Sequence, residues 1–198
     1  MADPAYIDAD GVLTDGEAWV GLATTTLGSS ATTVTFTSPD DGSSTDWSQF
    51  MDLVLVSYAR SDRNGSEVTD LIGVQFSNDT TSSYSTQYLS GNGSSASASY
   101  VTSTTYGYVG YATAAAATAN IFGAFVTHIY DINSGKYKSM ITSAAADRDG
   151  AGLTGLYAAT WKKQTPISEI DLVLPLTSAD FVTGSSFSLF GVLPRMVA

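Results

Sequence analysis

The fold class is decided by one stretch of sequence, Ile121-Phe-Gly-Ala-Phe-Val-Thr-His-Ile-Tyr-Asp-Ile132. Its bulky side chains recur with a period of two, which is the period of a β-strand and not of a helix. One face of the strand would carry Phe122, Ala124, Val126, His128 and Tyr130, and the other Ile121, Phe125 and Ile129. Asn133-Ser134-Gly135 follows as a turn before residues 137–142, so the sequence predicts a β-hairpin here.

Segments of the same kind lie on both sides of this hairpin. Val34 and Phe36 alternate with threonine residues, whereas residues 53–56 are apolar at every position, as in a central strand that is covered on both faces. Further strands are predicted at 71–76, 83–89, 100–111, 155–161, 167–174 and 187–192. We expect loops at 90–99, which is rich in Gly and Ser, and at 112–120, which lacks a helix cap.

About nine or ten short strands separated by turn residues indicate an all-β protein, and we predict a single jelly-roll-like antiparallel β-sandwich over residues 32–198. The composition agrees with this fold. Of the 198 residues, 43% are hydrophobic and 11% aromatic, which is enough for one core. Ser and Thr make up more than a quarter of the chain, while Glu, Lys and Arg, which build solvated helices, are scarce.

Residues 1–31 are predicted to form an extended N-terminal arm. Acidic residues and glycines interrupt every apolar pair in this segment, so we expect no self-sufficient strand or helix. Four apolar side chains can nevertheless anchor the arm, either on its own domain or in a neighbouring protein: Tyr6, Ile7, Trp19 and Val20.

The charge balance excludes several partners. The chain has 8 Lys+Arg against 19 Asp+Glu and a net charge of −11, so we expect no binding to nucleic acid or to anionic membranes. It has no cysteine and a single histidine, His128, which excludes disulfides, thiolate chemistry and multi-histidine metal sites.

Motifs that resemble catalytic or binding sites lack the context that they require. Gly150-Ala-Gly152-Leu-Thr-Gly155 precedes a strand, whereas a dinucleotide fingerprint opens a helix. The pattern Asp-x-Asp/Asn-Gly, at 8–11, 62–65 and 147–150, lacks the further ligands of a calcium loop and is typical of turns. No G-x-S-x-G elbow accompanies His128, which we interpret as a structural residue. We therefore predict no enzymatic activity, no metal and no cofactor.

The tyrosines are the remaining candidates for binding. Carbohydrate-binding sandwiches stack aromatic rings on sugars, while the alternative is that the rings pack in the core or in an interface. The candidates for a ligand or an interface are Tyr84, Tyr88, Tyr106 and Tyr108.

Two C-terminal patterns carry a resemblance to a family. The first is Trp161-Lys-Lys-Gln-Thr-Pro-Ile167-Ser-Glu-Ile170-Asp-Leu172, and the second is Phe181-Val-Thr-Gly184-Ser-Ser-Phe187-Ser-Leu189-Phe190-Gly191-Val192. They resemble the W-x-x-x-x-x-I-x-x-I-x-L and F-x-x-G-S-x-F-x-L-[YF]-G-[IV] segments of small β-sandwich structural proteins of tailed bacteriophages. Independently of that likeness, the first segment supplies core residues of a penultimate strand, and we expect the last strand to lie beside it.

The resemblance implies a non-enzymatic virion structural protein, such as a capsid decoration, head-fibre or tail-appendage module. It implies other virion proteins and further copies of the chain as partners. Together with the apolar anchors of the arm, it leads us to expect a homo-oligomer that docks through the arm. The acidic charge favours the exterior of the particle over contact with packaged DNA. The alternative prediction is a carbohydrate-binding module that recognises a host glycan.

Overall fold

The computed structural model describes residues 19–147 and 151–193. Within these ranges the chain forms twelve strands and one short 3-10 turn, Trp47–Gln49. The strands are β1 Trp19–Thr26, β2 Thr33–Thr37, β3 Asp52–Ala59, β4 Thr69–Phe76, β5 Tyr84–Gly91, β6 Ala96–Thr104, β7 Gly107–Thr113, β8 Gly123–Tyr130, β9 Lys138–Asp147, β10 Gly152–Trp161, β11 Glu169–Val173 and β12 Ser186–Val192. The described residues include no helix long and apolar enough to cross a membrane.

The strands form two antiparallel sheets that pack as a sandwich. The large sheet has the order β1-β12-β3-β8-β9-β10-β5-β6, and the small sheet has the order β2-β11-β4-β7. Leu53 and Phe125 of the large sheet share one buried cluster with Val74 and Leu172 of the small sheet. The predicted all-β antiparallel sandwich is confirmed, whereas its jelly-roll connectivity stays a prediction.

In strand β8 the side chains alternate between a buried and a partly exposed face, as the period of two predicts. Phe125 and Ile129 are buried, while Val126 and His128, from the alternate positions, lie on the opposite face and are partly exposed. The hairpin to β9 is also confirmed, since Tyr130 pairs with Ser139 across the turn. Only the ends differ, because the strand covers 123–130 instead of 121–132.

Three expectations about strands are wrong. Residues 19–26, which we assigned to the arm, form β1 and pair with β12 at the edge of the large sheet. Residues 100–111 are not one strand, because the chain leaves the large sheet after Thr104 and enters the small sheet at Gly107. The last strand, β12, lies between β1 and β3 in the large sheet and not beside β11.

Two loop predictions have different outcomes. The predicted loop 90–99 is reduced to a hairpin turn, in which the Asn92 side-chain oxygen accepts hydrogen bonds from the backbone N–H groups of Ser94 and Ser95. Residues 114–122 do form a loop between β7 and β8. The Arg60 guanidinium holds it, donating hydrogen bonds to four of its backbone carbonyl oxygens, those of Ala115, Ala117, Thr118 and Ile121.

A candidate assembly surface on the large sheet

The large sheet has one face turned away from the small sheet, and we call this the outer face. The antiparallel registers align its side chains in rows that cross the strands. The central row consists of Ser188, Val56, Val126, Ser143, Leu156, Leu89 and Ala98. Its four large side chains are exposed to 38% for Val56, 43% for Val126, 43% for Leu156 and 58% for Leu89.

The rows on either side also contain exposed large side chains. One contains Tyr58, Ala124, Ala145 and Thr154, and Tyr58 is 46% exposed. The other contains His128, Ile141, Ala158, Gln87 and Tyr100, and Tyr100 is 67% exposed. Scattered exposed apolar residues are normal on a protein surface, but here they are contiguous on one face.

Small side chains leave a groove in this face. Alanine, glycine and serine residues of β5, β6, β9 and β10 lie between Leu89, Leu156 and Val126. The groove is shallow and open to solvent, and its lining is mainly apolar. Such a shape can receive a large side chain or a segment of another protein.

The outer face carries little charge, although the chain as a whole is acidic, and the exposed Asp147 lies at its margin opposite Gly152. No Asp, Glu, Lys or Arg occurs between Asp79 and Asp131, a segment that includes β5, β6 and β8. Asp52 and His128 lie on this face as a pair, with 2.9 Å between the Asp52 Oδ2 and His128 Nε2 atoms. Asp52 Oδ1 also accepts a hydrogen bond from the backbone N–H of Asp131. The pair joins β3 to β8, which gives His128 a structural role.

The structure does not present the four candidate tyrosines as one exposed binding surface. Tyr84 is completely buried, so its prediction as an exposed ligand-binding residue is wrong. Its hydroxyl accepts a hydrogen bond from Phe76 N–H and donates one to the Asp79 carbonyl oxygen. Burial raises the pKa of Tyr84 well above its usual range.

The other three candidates are half-buried and stack on one another beside the edge strand β7. Tyr106 lies 5.6 Å from Tyr108, and Tyr88 lies 6.0 Å from Tyr108, measured between ring centroids. Tyr157 continues the stack at 5.8 Å from Tyr88. Burial, together with the neighbouring tyrosines, raises the pKa of Tyr108 to about 12. Each of these rings already stacks on at least one other ring, which leaves less of its surface for a ligand.

The predicted arm anchors divide into three groups. Tyr6 and Ile7 lie outside the described residues. Val20 is buried with Phe50 and Leu193, so it anchors β1 on its own domain and is not free to dock. Trp19 is 49% exposed and lies 6.2 Å from Phe190, at the edge of the outer face.

The remaining motifs behave as turns and strands. Gly152 and Gly155 of the G-x-G-x-x-G match lie within β10, while Gly150 lies outside the described residues. In the motif at 62–65, the Asp62 carboxylate accepts a hydrogen bond from the backbone N–H of Asp180. The motif at 8–11 lies outside the described residues, as does most of that at 147–150. In the described ranges no three His, Asp or Glu side chains cluster as a metal site would require.

Sequence reasoning missed the corner built around Asp79. The Asp79 carboxylate accepts hydrogen bonds from Trp161 Nε1 at 2.7 Å, from Thr81 and from Ser83. Burial raises the pKa of Asp79, but these hydrogen bonds outweigh it and hold the pKa well below its usual range. The corner joins β10 to the turn before β5, which fixes one end of the sandwich.

Comparison of the chain with models of known protein families finds no matching family, and comparison with curated protein sequences finds no significant match.

Proposed function

We propose that the protein is a non-enzymatic structural component of a tailed-bacteriophage virion, in which the outer face packs against other structural proteins of the particle. The observation that supports this proposal is the contiguous, largely apolar outer face, which carries little charge in a chain with a net charge of −11. The likeness of the two C-terminal segments to phage structural proteins gives the class of particle. Within the virion we place the protein on the exterior, where its acidic surface avoids packaged DNA.

The size of the outer face is sufficient for assembly. Eight strands about 4.8 Å apart and about seven rises of 3.3 Å along each strand give a face of roughly 34 by 23 Å, or roughly 800 Å². A standard protein interface buries about 800 Å² on each partner. Apolar side chains form a contiguous part of this face, and contiguous apolar patches larger than a few hundred Å² mark interaction sites.

Sedimentation of intact particles tests the proposal. We expect the protein in washed virions at a fixed ratio to the major coat protein, and its absence from purified particles would contradict the assignment. Leu156→Lys places a charge in the centre of the outer face, so the variant should fold but lose incorporation. The matched control is Leu176→Lys, because Leu176 is 57% exposed between β11 and β12.

Docking through the N-terminal arm requires a separate experiment. Because β1 begins at Trp19, deletion of residues 1–18 leaves the described strand in place, whereas a longer deletion would remove part of the large sheet. We expect the shortened protein to keep its thermal stability and to lose incorporation into particles. Unchanged incorporation would show that the arm is not the docking element.

A second candidate function is carbohydrate binding, which one observation favours. Tyr100 is 67% exposed on the outer face, and it pairs across the strands with Gln87, whose amide can bind sugar hydroxyls. If this function is correct, a glycan array should show binding that Tyr100→Ala abolishes. Arrays without binding, both with and without Ca²⁺, would exclude it.

A further inference from the structure

Strand β6 forms an unprotected edge of the large sheet. It comprises nine residues, Ala96–Thr104, and β5 is its neighbour on one side only. Every residue of β6 is exposed or half-exposed, and none is charged, proline or glycine. Natural proteins usually protect edge strands with charges, prolines, bulges or short length, because an open edge offers unpaired backbone groups to another strand.

The other edges in the described part of the chain are better protected. Strand β1 has an irregular register between Gly21 and Ala23, and β2 is only five residues long. Strand β7 has a bulge opposite Ile72 and Gly73, and Thr113 near its end bridges to Arg60. Strand β6 has its own bulge at Ser103, near its C-terminal end, but residues 96–102 remain the longest regular stretch on these edge strands and are open for pairing.

We propose that β6 pairs with β6 of a second copy of the chain, in an antiparallel ladder with two-fold symmetry. Charge supports a second copy as the occupant. Two chains with a net charge of −11 repel each other, and this repulsion is weakest at a surface without charges. The hairpin from Tyr84 to Thr104 contains no Asp, Glu, Lys or Arg.

The length of β6 supports the same partner. An antiparallel ladder of the regular residues 96–102 can form about seven backbone hydrogen bonds between the copies, which is within the roughly five to fifteen of a typical interface. The same segment on both sides makes the contact self-complementary and closed, so it yields a dimer and not a fibre. The two large sheets then become one continuous sheet, and their outer faces form one extended surface.

A charge on the edge tests this dimer. Ala98→Lys places two lysines near the two-fold axis of the dimer, and like charges across strands repel. Ala23→Lys is the matched control, since Ala23 is also exposed but lies on β1 at the opposite edge. In analytical ultracentrifugation we expect the unaltered protein and Ala23→Lys to be dimers, and Ala98→Lys to dissociate at least about tenfold more readily.

Single cysteines give a second readout, because the chain has no cysteine of its own. A disulfide needs two Cα atoms about 4.4 to 6.8 Å apart. In a two-fold antiparallel ladder, a residue lies that close to the same residue of the other copy only near the two-fold axis. Cysteine placed singly at each position from Ala98 to Thr102 should therefore cross-link at one or two neighbouring positions. Cysteine at Ala23 should not cross-link. Cross-linking is measured on the folded protein, so this test does not depend on a substitution that disrupts the dimer.

Other outcomes overturn the proposal. A monomeric protein, or a dimer that Ala98→Lys leaves intact, would exclude pairing through β6. The dimer proposal does not depend on the virion proposal. A dimeric protein that is absent from particles would support the dimer proposal and contradict the virion proposal.

Discussion

Asp79 is the residue on which one corner of the sandwich depends. Its carboxylate is 9% exposed and accepts hydrogen bonds from the Trp161 indole and from Thr81 and Ser83. Charge-assisted hydrogen bonds of this kind are stronger than neutral ones. The nearest cation, Lys163 Nζ, lies 3.9 Å away and is itself well exposed, so hydrogen bonding and not the ion pair stabilises the carboxylate.

Asp79→Asn should therefore destabilise the protein by about 1–3 kcal/mol, because the amide keeps the shape but loses the charged acceptor. The matched control is Asp131→Asn, since Asp131 is half exposed and its partner Lys136 is 80% exposed. The control should change stability by less than about 0.5 kcal/mol. Urea unfolding at neutral pH measures both values, and equal effects of the two substitutions would contradict the role of Asp79.

The same residue predicts a dependence of stability on pH. The pKa of Asp79 is lower in the folded protein than the usual value of 3.8, so the folded state releases this proton more readily than the unfolded state. Its contribution to stability is complete well above pH 3.8 and is lost as the pH falls below it. The difference in unfolding free energy between the unaltered protein and Asp79→Asn should therefore shrink on acidification. A difference that grows at low pH would contradict a lowered pKa of Asp79 in the folded protein.

Strand β12 depends on a glycine that the C-terminal pattern contains. A Cβ atom at Gly191 would overlap the ring of Phe50, whereas Gly21, beside it on β1, has nothing within 4 Å of such an atom. The close approach of Phe50 to the backbone explains why glycine occupies position 191. Phe50 is buried and belongs to the cluster with Val20 and Leu193, so moving it disturbs the β1 edge.

Gly191→Ala should accordingly destabilise the protein by about 1–3 kcal/mol, because the added methyl group forces a buried ring to shift. Gly21→Ala should be neutral within about 0.5 kcal/mol or slightly stabilising. Thermal unfolding of the two variants gives the comparison. If Gly191→Ala unfolds at the same temperature as Gly21→Ala, the packing of Phe50 is not tight.

The positions of most strands could be predicted from the sequence, but which strands lie next to each other in the sheets could not. The alternation in β8 identifies the two faces correctly, yet it does not show that Val126 faces outward beside Val56 and Leu156. Residues 53–56 suggest a strand covered on both faces, but in the structure Val56 is 38% exposed. The Asp79 corner was missed because Trp161 lies 82 positions away, and no local pattern reports such a contact.

At the scale of the whole molecule, segregation of charge is the main feature. Residues 80–130 contain none of the 8 Lys+Arg and 19 Asp+Glu, so all charge lies in the remaining parts of the chain. We expect the acidic excess to repel polyanions, while the uncharged strands are available for apolar contacts. The Ser and Thr side chains keep the strands polar without adding charge.

The protein should therefore not bind duplex DNA. With a net charge of −11, and without a basic cluster in the sequence, no release of counterions can drive association. A gel-shift assay at moderate salt should show free DNA throughout the titration. A shift that disappears at higher salt would reveal a basic surface and would contradict placement away from the packaged genome.

The pairing of β1 with β12 has a mechanical consequence. Trp19 lies opposite Val192, so the described chain enters and leaves the sandwich at one corner. A force applied to both ends would peel β1 from β12 one residue pair at a time, because the strands are antiparallel and are pulled from the same end. Such peeling needs far less force than sliding two strands past each other. Tension on the ends would thus act first on a single edge strand.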